Sequence, residues 1–529
     1  MAVDAEQIVK RYEKLKSDRG TWDSHWREVA ELVYPRRDDF DTKRSPGEKR
    51  MTKVFNSTPI QANELLASGL VSLNVNPATT WFKANTEGMD EEAKRWLDNA
   101  SDIMLEEINA PASNFYTSSY EYFLEFGAFG TAGVFIDENE SKAGLSFQSR
   151  SLSEIVIAEN PDGQVDTVYR RFEWTAKQIE QRWPDHNSKT VADLIKADKF
   201  NEKLFIIHCI QPRKDVKEGK RNFEGMPIES VYVLQQDKAV LEEGGFQEMP
   251  LPVGRFYKSP METYGRSPAM TALPDIKMLN EVMKTTIKAA QKSVDPPLVV
   301  TNDGFMNPLR TVPGGVNVFD GSDAAGAVGQ LPSANPGIGL DFVQFLEDKI
   351  RSIFFVDQLQ LAGGPQMTAT EVLQRTEEKL RLMGPVLGRV QSEYLGPVLD
   401  RVFGILLRQG RFGQPPESIP EKFEFEFTGS VAQAQQQQEA AGFLRAVESV
   451  SPMLQLQPEL LTDNVNGDVL VRDTLQMFGV GMDKLSEEKG RDVQRQQRQQ
   501  IQQLQTALAA AQQAGEAGQA INQATEGGG

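Results

Sequence analysis

The sequence predicts an α+β chain, predominantly helical. Three observations carry this. The first ~130 residues, and most of the chain beyond about residue 340, repeat apolar side chains every three or four positions. The stretch from about residue 134 to residue 257 breaks instead into short β-branched and aromatic runs bounded by turn residues. The chain is 529 residues long, more than one hydrophobic core ordinarily holds, so two to about four structural units are expected.

In order, Ile8, Tyr12 and Leu15 mark one helix, and Trp22, Trp26, Val29 and Val33 a second. Asp38–Lys53 is charged and loop-like. Thr58-Pro59-Ile60-Gln61 reads as a helix start with Thr58 as cap, running to about Leu73. Helices are expected over Glu91–Ile108 and from Ser113, the latter carrying Phe115, Tyr116, Tyr120, Phe123 and Phe126. Gly127, Gly130 and Gly133 break the helical pattern, and strand signals follow at Val134–Asp137, Leu145–Gln148, Glu154–Ala158 and Val165–Phe172. Asn160-Pro161-Asp162-Gly163 has turn chemistry between the last two. Thr175 to Gln178 has capping-box spacing. Further strands are expected at Leu204–Ile210, Ser230–Leu234 and Arg255–Tyr257.

The centre is organised differently. Ser267-Pro268 opens a helix through Ile276, Leu279, Met283, Ile287 and Ala290, and Asp295-Pro296-Pro297 ends it. Strand-like Leu298–Thr301 and Gly315–Phe319 lead into the Gly/Ala/Ser/Pro-rich Asp320–Gly339. Asp341 then caps a helix with Phe342, Leu346, Ile350 and Ile353 on one face. A glycine-centred loop, Gln358–Met367, precedes the capping-box sequence Thr368–Glu371. From there an apolar stripe runs from Val372 through Met383, Val390, Tyr394 and Val398 to Val402. The stripe stays in phase across Gly384-Pro385 and Gly396-Pro397, which predicts one long helix with kinks. Lys422–Thr428 alternates as a strand. The glutamine-rich remainder reads as helices at Ala432–Val450, Asp468–Phe478 and Glu487–Gln513, with a frayed glycine end.

Composition narrows the chemistry. Apolar residues are 39%, charged residues 25%, and the net charge is -18. An acidic chain does not grip a phosphate backbone, so DNA, if it is a partner, is expected as something that passes by and is not gripped. The single cysteine, Cys209, excludes an internal disulfide and sits in an apolar run that suggests a buried thiol. The charged Met1–Lys16 lacks a signal-peptide core, no stretch has the length of a membrane span, and a reducing cytoplasm is the expected place of synthesis.

No GxxxxGK[ST] loop, HExxH helix or GxSxG elbow occurs. Three histidines, of which His208 lies in an apolar run, do not suggest a zinc site. No catalytic residue, cofactor or metal site is therefore assigned. One stripe is sharper: Lys277, Lys284, Lys288 and Lys292 are spaced seven, four and four apart, a quarter turn from the apolar stripe of their helix. It reads either as a solvated face or as a positive lining presented to phosphates. The loop carrying Gln358, Gln360, Gly363, Gly364 and Gln366 reads either as an ordinary connection or as a mobile loop that responds to something moving past.

This order resembles the portal family of tailed phages, and in particular the head-to-tail connecting proteins of short-tailed phages. Three places carry the likeness: Phe126–Phe135, Tyr264–Ala269, and Met367–Arg375 with the following Gly384-Pro385-Val386 and Leu395–Leu399. The resemblance implies a wing over 1–266, a stem helix over 267–293, a clip over 294–340, a second stem helix over 341–356, a tunnel loop over 357–368, a kinked wing helix and strand over 369–430, and a helical crown over 431–529. It implies a homo-oligomeric ring, typically a dodecamer, at the capsid vertex, through which double-stranded DNA passes without sequence readout. The implied partners are terminase, tail adaptor or tail tube proteins, and the major capsid and scaffolding proteins; no membrane is involved. The implied location is the virion, with assembly in the host cytoplasm. Two alternatives stay open: another head–tail adaptor or internal core protein, and a packaging-associated nuclease or ATPase.

Overall fold

Local chemistry sets the first elements. The computed structural model of the protein describes residues 4–37, 40, 45, 47–77, 79–85, 88–139, 144–217, 219–220, 222–294, 298–300, 328–330, 336–359, 382–420, 423–428, 442, 471, 475, 493–498 and 500–505. Asp4 caps α1 (Ala5–Asp18), its carboxylate accepting from the backbone of Glu6 and Gln7 at 3.0 and 3.2 Å. α2 (Gly20–Leu32) buries Trp26, whose indole donates to the carbonyl of Phe129 at 3.0 Å. The buried Arg19 pairs with Asp23 at 2.9 Å and donates to the carbonyls of Leu152 and Ile155, tying this helical corner to the β region.

α3 (Thr58–Asn74) starts where expected but is capped differently. Ser57 is the N-cap, Thr58 is already helical, and the Asn56 side chain accepts the Thr58 N–H at 2.8 Å. The short strand β1 (Phe82–Ala84) and α4 (Glu91–Asn109) follow. α5 (Phe115–Phe129) runs through Gly127, so that glycine does not end the helix. Its missing side chain admits Asn63 instead, because a Cβ would fall 2.4 Å from Asn63 Oδ1. The helix ends at Gly130, which is left-handed at φ 75° and donates to Phe126 O.

Two antiparallel sheets follow. β2 (Thr131–Asn139) lies between β3 (Gly144–Arg150) and β9 (Val253–Arg255). The larger sheet has the order β4 (Ile155–Glu159), β5 (Val165–Thr175), β6 (Lys203–Pro212), β7 (Ile228–Leu234) and β8 (Ala239–Phe246). Its two faces separate by parity. Tyr169, Ile207, Cys209, Val231 and Val233 pack under Ile8, Val9 and Tyr12 of α1. Phe172, Leu204, Ile206 and Leu234 pack under Ile179, Trp183 and Val191. Those last three belong to α6 (Ala176–Arg182), its C-cap, and α7 (Lys189–Lys196). The capping box of Thr175 and Gln178 is present, and Gly163 closes the expected turn by donating to Asn160 O at 3.0 Å.

The central region is α8 (Pro268–Val294), β10 (Leu298–Val300), β11 (Val328–Gln330), α9 (Pro336–Ile353) and α10 (Val356–Leu359). β10 and β11 pair antiparallel. α9 begins at Pro336, five residues before the expected start, so Asp341 lies inside the helix and does not cap it. Its buried ridge is Val343, Leu346, Ile350 and Phe354; Phe342 lies outside it at 42% exposure. α7, β8 and β11 were not expected from the sequence. β8 contains Glu-Glu-Gly-Gly, which hides a strand from a propensity reading.

The long helix is continuous over the described 382–408. α11 (382–389) passes through Pro385, widens to a π-helix over Val390–Leu395, and continues as α12 (Gly396–Arg408). Pro397 has no N–H and would crowd the carbonyl four residues back, and the wider turn just before it relieves that conflict. Met383, Val386, Val390, Tyr394, Val398 and Val402 are all buried, so the stripe holds its phase through the irregular turn. A last strand, β12, spans Phe425–Phe427, and the Phe425 ring meets Phe82 edge-on.

The chain divides into two compact units. The first takes residues 1–83, 102–414 and 424–429, and holds both sheets, the α8–α9 hairpin and the long helix. The second takes 84–101, 415–423 and 430–529. Within the second, Asp90 accepts from the backbone of Ala93 at 2.9 Å and from Ser418 Oγ at 3.1 Å. Its described C-terminal residues, 442, 471, 475, 493–498 and 500–505, are helical.

Candidate functional site

α8 and α9 form an antiparallel helical hairpin, with α8 about 40 Å long. Ser267 sets its base. The hydroxyl accepts from Met270 N at 3.0 Å and donates to the carbonyl of Ala128 at 2.8 Å. In the first half of α8, Ala269, Ala272, Leu273, Ile276 and Leu279 are buried; from Asn280 to Lys292 no residue is. The hairpin therefore leaves the protein body near Leu279. Two contacts set its register. Lys349 pairs with Asp275 at 2.8 Å, and a Cβ on Gly339 would fall 2.6 Å from Thr286 Oγ1.

A strap from the N-terminal region braces the hairpin where it emerges. Asn280 accepts the Phe55 N–H at 2.8 Å and donates to Lys53 O at 2.9 Å. Asn56 donates to Glu347 of α9 at 2.7 Å.

The structure divides the four lysines. Lys277 is held by Glu28 of α2 at 2.6 Å. Lys284 pairs with Glu281 one turn away at 3.1 Å and lies over the Phe55 ring. Lys288 and Lys292 are exposed, and among the described residues no ion pair holds either. The stripe is thus two anchored cations near the body and two towards the far end that no described carboxylate holds.

Gln358 is half-buried in α10 and is not part of an open loop. α10 sits against α3: a Cβ on Gly69 would fall 2.7 Å from Leu359 Cδ1. Gln360, Gly363, Gly364 and Gln366 lie outside the described residues, as do the capping box at Thr368–Glu371 and the strand expected at Gly315–Phe319.

Two features had no sequence signal strong enough to find them. One is a buried ion cluster under the π-helix, where Glu393 meets Arg255, and Arg255 also pairs with Glu159. These residues are far apart in sequence, and only the fold joins them. The other is a pair of exposed aromatics on α9, Phe342 and Phe345, stacked at 6.3 Å between centroids. The sequence period over α9 predicts Phe342 in the core, but the structure leaves it 42% exposed.

The titratable residues of the sheets read as structural. Burial pushes the Cys209 thiol up to about 12. Burial, with the charges of Arg170 and Arg150, pushes His208 down to about 3; it is stacked on Tyr232 and hydrogen-bonded to Ser230 at 2.9 Å. A neutral, hydrogen-bonded histidine in a strand is a core residue. Among the described residues no group of three or more His, Cys, Asp or Glu side chains is gathered to hold a metal, and no helix is long and apolar enough to cross a membrane.

Comparison with known proteins gives one consistent result. The family described as bacteriophage head to tail connecting protein matches residues 5–485. The chain is 31% identical over 491 residues to the probable portal protein of Bordetella phage BPP-1, covering 89% of this chain and 87% of that protein. It is 29% identical over 495 residues to the portal protein of Salmonella phage epsilon15, covering 90% of this chain and 88% of that one.

Proposed function

This chain belongs to the bacteriophage head to tail connecting protein family, and from that premise we propose how its parts serve a portal. The protein is a structural subunit of the oligomeric portal at the capsid vertex, a virion component joining head to tail. The observation that carries this is the match over residues 5–485, which takes in both sheets, the hairpin and the long helix. The family and these relatives are structural proteins, and no catalytic step is assigned to the chain.

The finer assignments are our reading. The wing is 1–266, the stem is the α8–α9 hairpin, and the clip is the segment between its helices. The tunnel loop follows α10, the kinked helix returns to the wing, and residues 431–529 form the crown. Twelve copies close the ring. Terminase docks on the clip during packaging and tail proteins dock there afterwards, with the capsid shell against the wing. Assembly takes place in the host cytoplasm.

Sliding requires weak contact with DNA. The net charge of -18 supports a tunnel wall that repels phosphate. Lys288 and Lys292, exposed and without an ion pair among the described residues, are the cations best able to make brief phosphate contacts. Lys277 and Lys284 are engaged by carboxylates of their own chain. Gln360, Gly363, Gly364 and Gln366 belong to the loop that meets passing DNA, and Gln358 is its packed root.

Immunogold labelling of the chain on intact particles tests the assignment. The expected result is label at one vertex per particle; label distributed over all vertices would overturn it.

A further inference from the structure

An arginine drawn out of water ordinarily has a carboxylate beside it. Arg150, the last residue of β3, does not. It is half-buried, with its guanidinium over the Phe135 ring at 5.7 Å. Its Nη2 donates to Gln148, and its Nε is buried without an acceptor. Among the described residues no carboxylate pairs with it. The second cation is Arg170 of β5, and strand register brings the two together. Arg170 lies opposite His208 of β6, and His208 opposite Tyr232 of β7, so the three share one face of the larger sheet. Phe135 of β2 meets His208 edge-on at 6.0 Å, which carries the Phe135 and Arg150 face of the smaller sheet over this row.

Charge says what fits there. Arg170 donates from Nε to Glu154 at 3.0 Å and lies over the Phe172 ring at 4.3 Å. Burial, with the charge of Arg170, pulls the Arg150 guanidinium down to about 10, while Glu154 pulls the other way. His208, held neutral by its burial and by the same two arginines, offsets nothing. The carboxylates of Glu242 and Asp137 lie further along the row at Tyr232, and neither pairs with Arg150. Two guanidinia therefore share one carboxylate, and one positive charge is left over. A second carboxylate neutralises it, whereas a phosphate dianion would leave a surplus negative charge beside Glu154.

We propose that Arg150 and Arg170, where the two sheets meet, form a binding site for one carboxylate. Arg150 supplies an open guanidinium edge, whose planar fork matches a carboxylate, and Arg170 supplies the second charge. The site is built within one chain and does not depend on assembly.

Thermal melts of the full-length chain, with acetate replacing chloride at constant ionic strength, test this. Acetate is expected to raise the melting temperature, and the rise to saturate, as binding to the folded state alone requires. Arg150→Gln abolishes the rise. Arg150→Lys keeps the charge but loses the fork, and weakens acetate binding at least about tenfold. An Arg150→Gln chain that loses stability in chloride yet keeps the acetate rise shows a purely structural arginine and overturns the site. A wild-type rise that never saturates does the same, and inorganic phosphate binding more tightly than acetate overturns the choice of carboxylate. N-acetyl-glutamate N-methylamide, compared with acetate, separates the sources. Tighter binding of the blocked glutamate assigns the site to a side chain of a partner protein; tighter binding of acetate assigns it to a small free acid.

Discussion

Arg255 closes on Glu393 as a two-pronged pair. Nε donates to Oε2 at 3.0 Å and Nη2 to Oε1 at 2.8 Å, while the backbone N–H of Arg255 donates to the same Oε2 at 2.9 Å. The guanidinium also reaches Glu159 and the carbonyls of Gly163 and Thr263. Arg255 ends β9 and Glu393 sits in the π-helix, so this pair joins the small sheet to the irregular turn of the long helix. The next residue of that turn, Tyr394, stacks on Tyr122 of α5 at 3.9 Å. The irregular turn is therefore held from two sides.

Removing Glu393 leaves a buried guanidinium with Glu159 as its remaining close carboxylate. Glu393→Ala is expected to cost about 3 kcal/mol, the scale for breaking a buried pair from one side. Urea unfolding monitored by tryptophan fluorescence reads this; a loss below about 1 kcal/mol would mean that the pair is dispensable.

Tyr394 separates hydroxyl from ring. Its hydroxyl shares one hydrogen bond with Ser119 at 3.1 Å. Tyr394→Phe is expected to cost about 1 kcal/mol, and Tyr394→Ala about 3 to 5 kcal/mol through the cavity it leaves. Equal losses in the two variants would contradict a role for the stack.

Glu125 gives the pH dependence. Burial raises its carboxyl from 4.5 to about 7, against the opposing pull of Arg37 at 3.2 Å and the Leu152 N–H. The folded state then holds a proton that the unfolded state releases between about pH 4.5 and 7, so its contribution to stability falls as pH rises through that window. The stability difference between wild type and Glu125→Gln should be flat below about pH 4.5, decline to about pH 7 and level off above. Thermal melts across pH measure it; a difference that grows with pH would reverse the sign of this account.

The two free lysines should act through salt. Lys288→Gln with Lys292→Gln leaves the ring intact, and the slope of log Kd for double-stranded DNA on the purified ring against log salt falls by at most about 2, one phosphate contact per lysine. A slope unchanged from the wild type would remove both from the DNA path.

Much of this architecture is visible in the sequence because local signals agree with the fold. Thr175 with Gln178, the Asn160–Gly163 turn and the stripe from Met383 to Val402 are each specified within a few residues. Errors arose where a local rule had two solutions. Asp341 looks like a cap, but Pro336 at the first turn starts the helix earlier. Separately, the inward face is set by Val343, Leu346, Ile350 and Phe354, a phase that leaves Phe342 out. Asn56 does the capping work that Thr58 seemed to do, while Ser57 stands at the N-cap without a side-chain cap bond. In the candidate site, the lysine stripe was legible as spacing, but its division was not. Glu28 reaches Lys277 across 249 residues of sequence, and no periodicity encodes such a partner.

The ring is tested most directly by electron microscopy of the purified full-length chain combined with its mass in solution. Closed rings with a central channel and a mass that is an integral multiple of 59.0 kDa are expected. A monomer that persists at every concentration and salt, or open filaments without a channel, would contradict it.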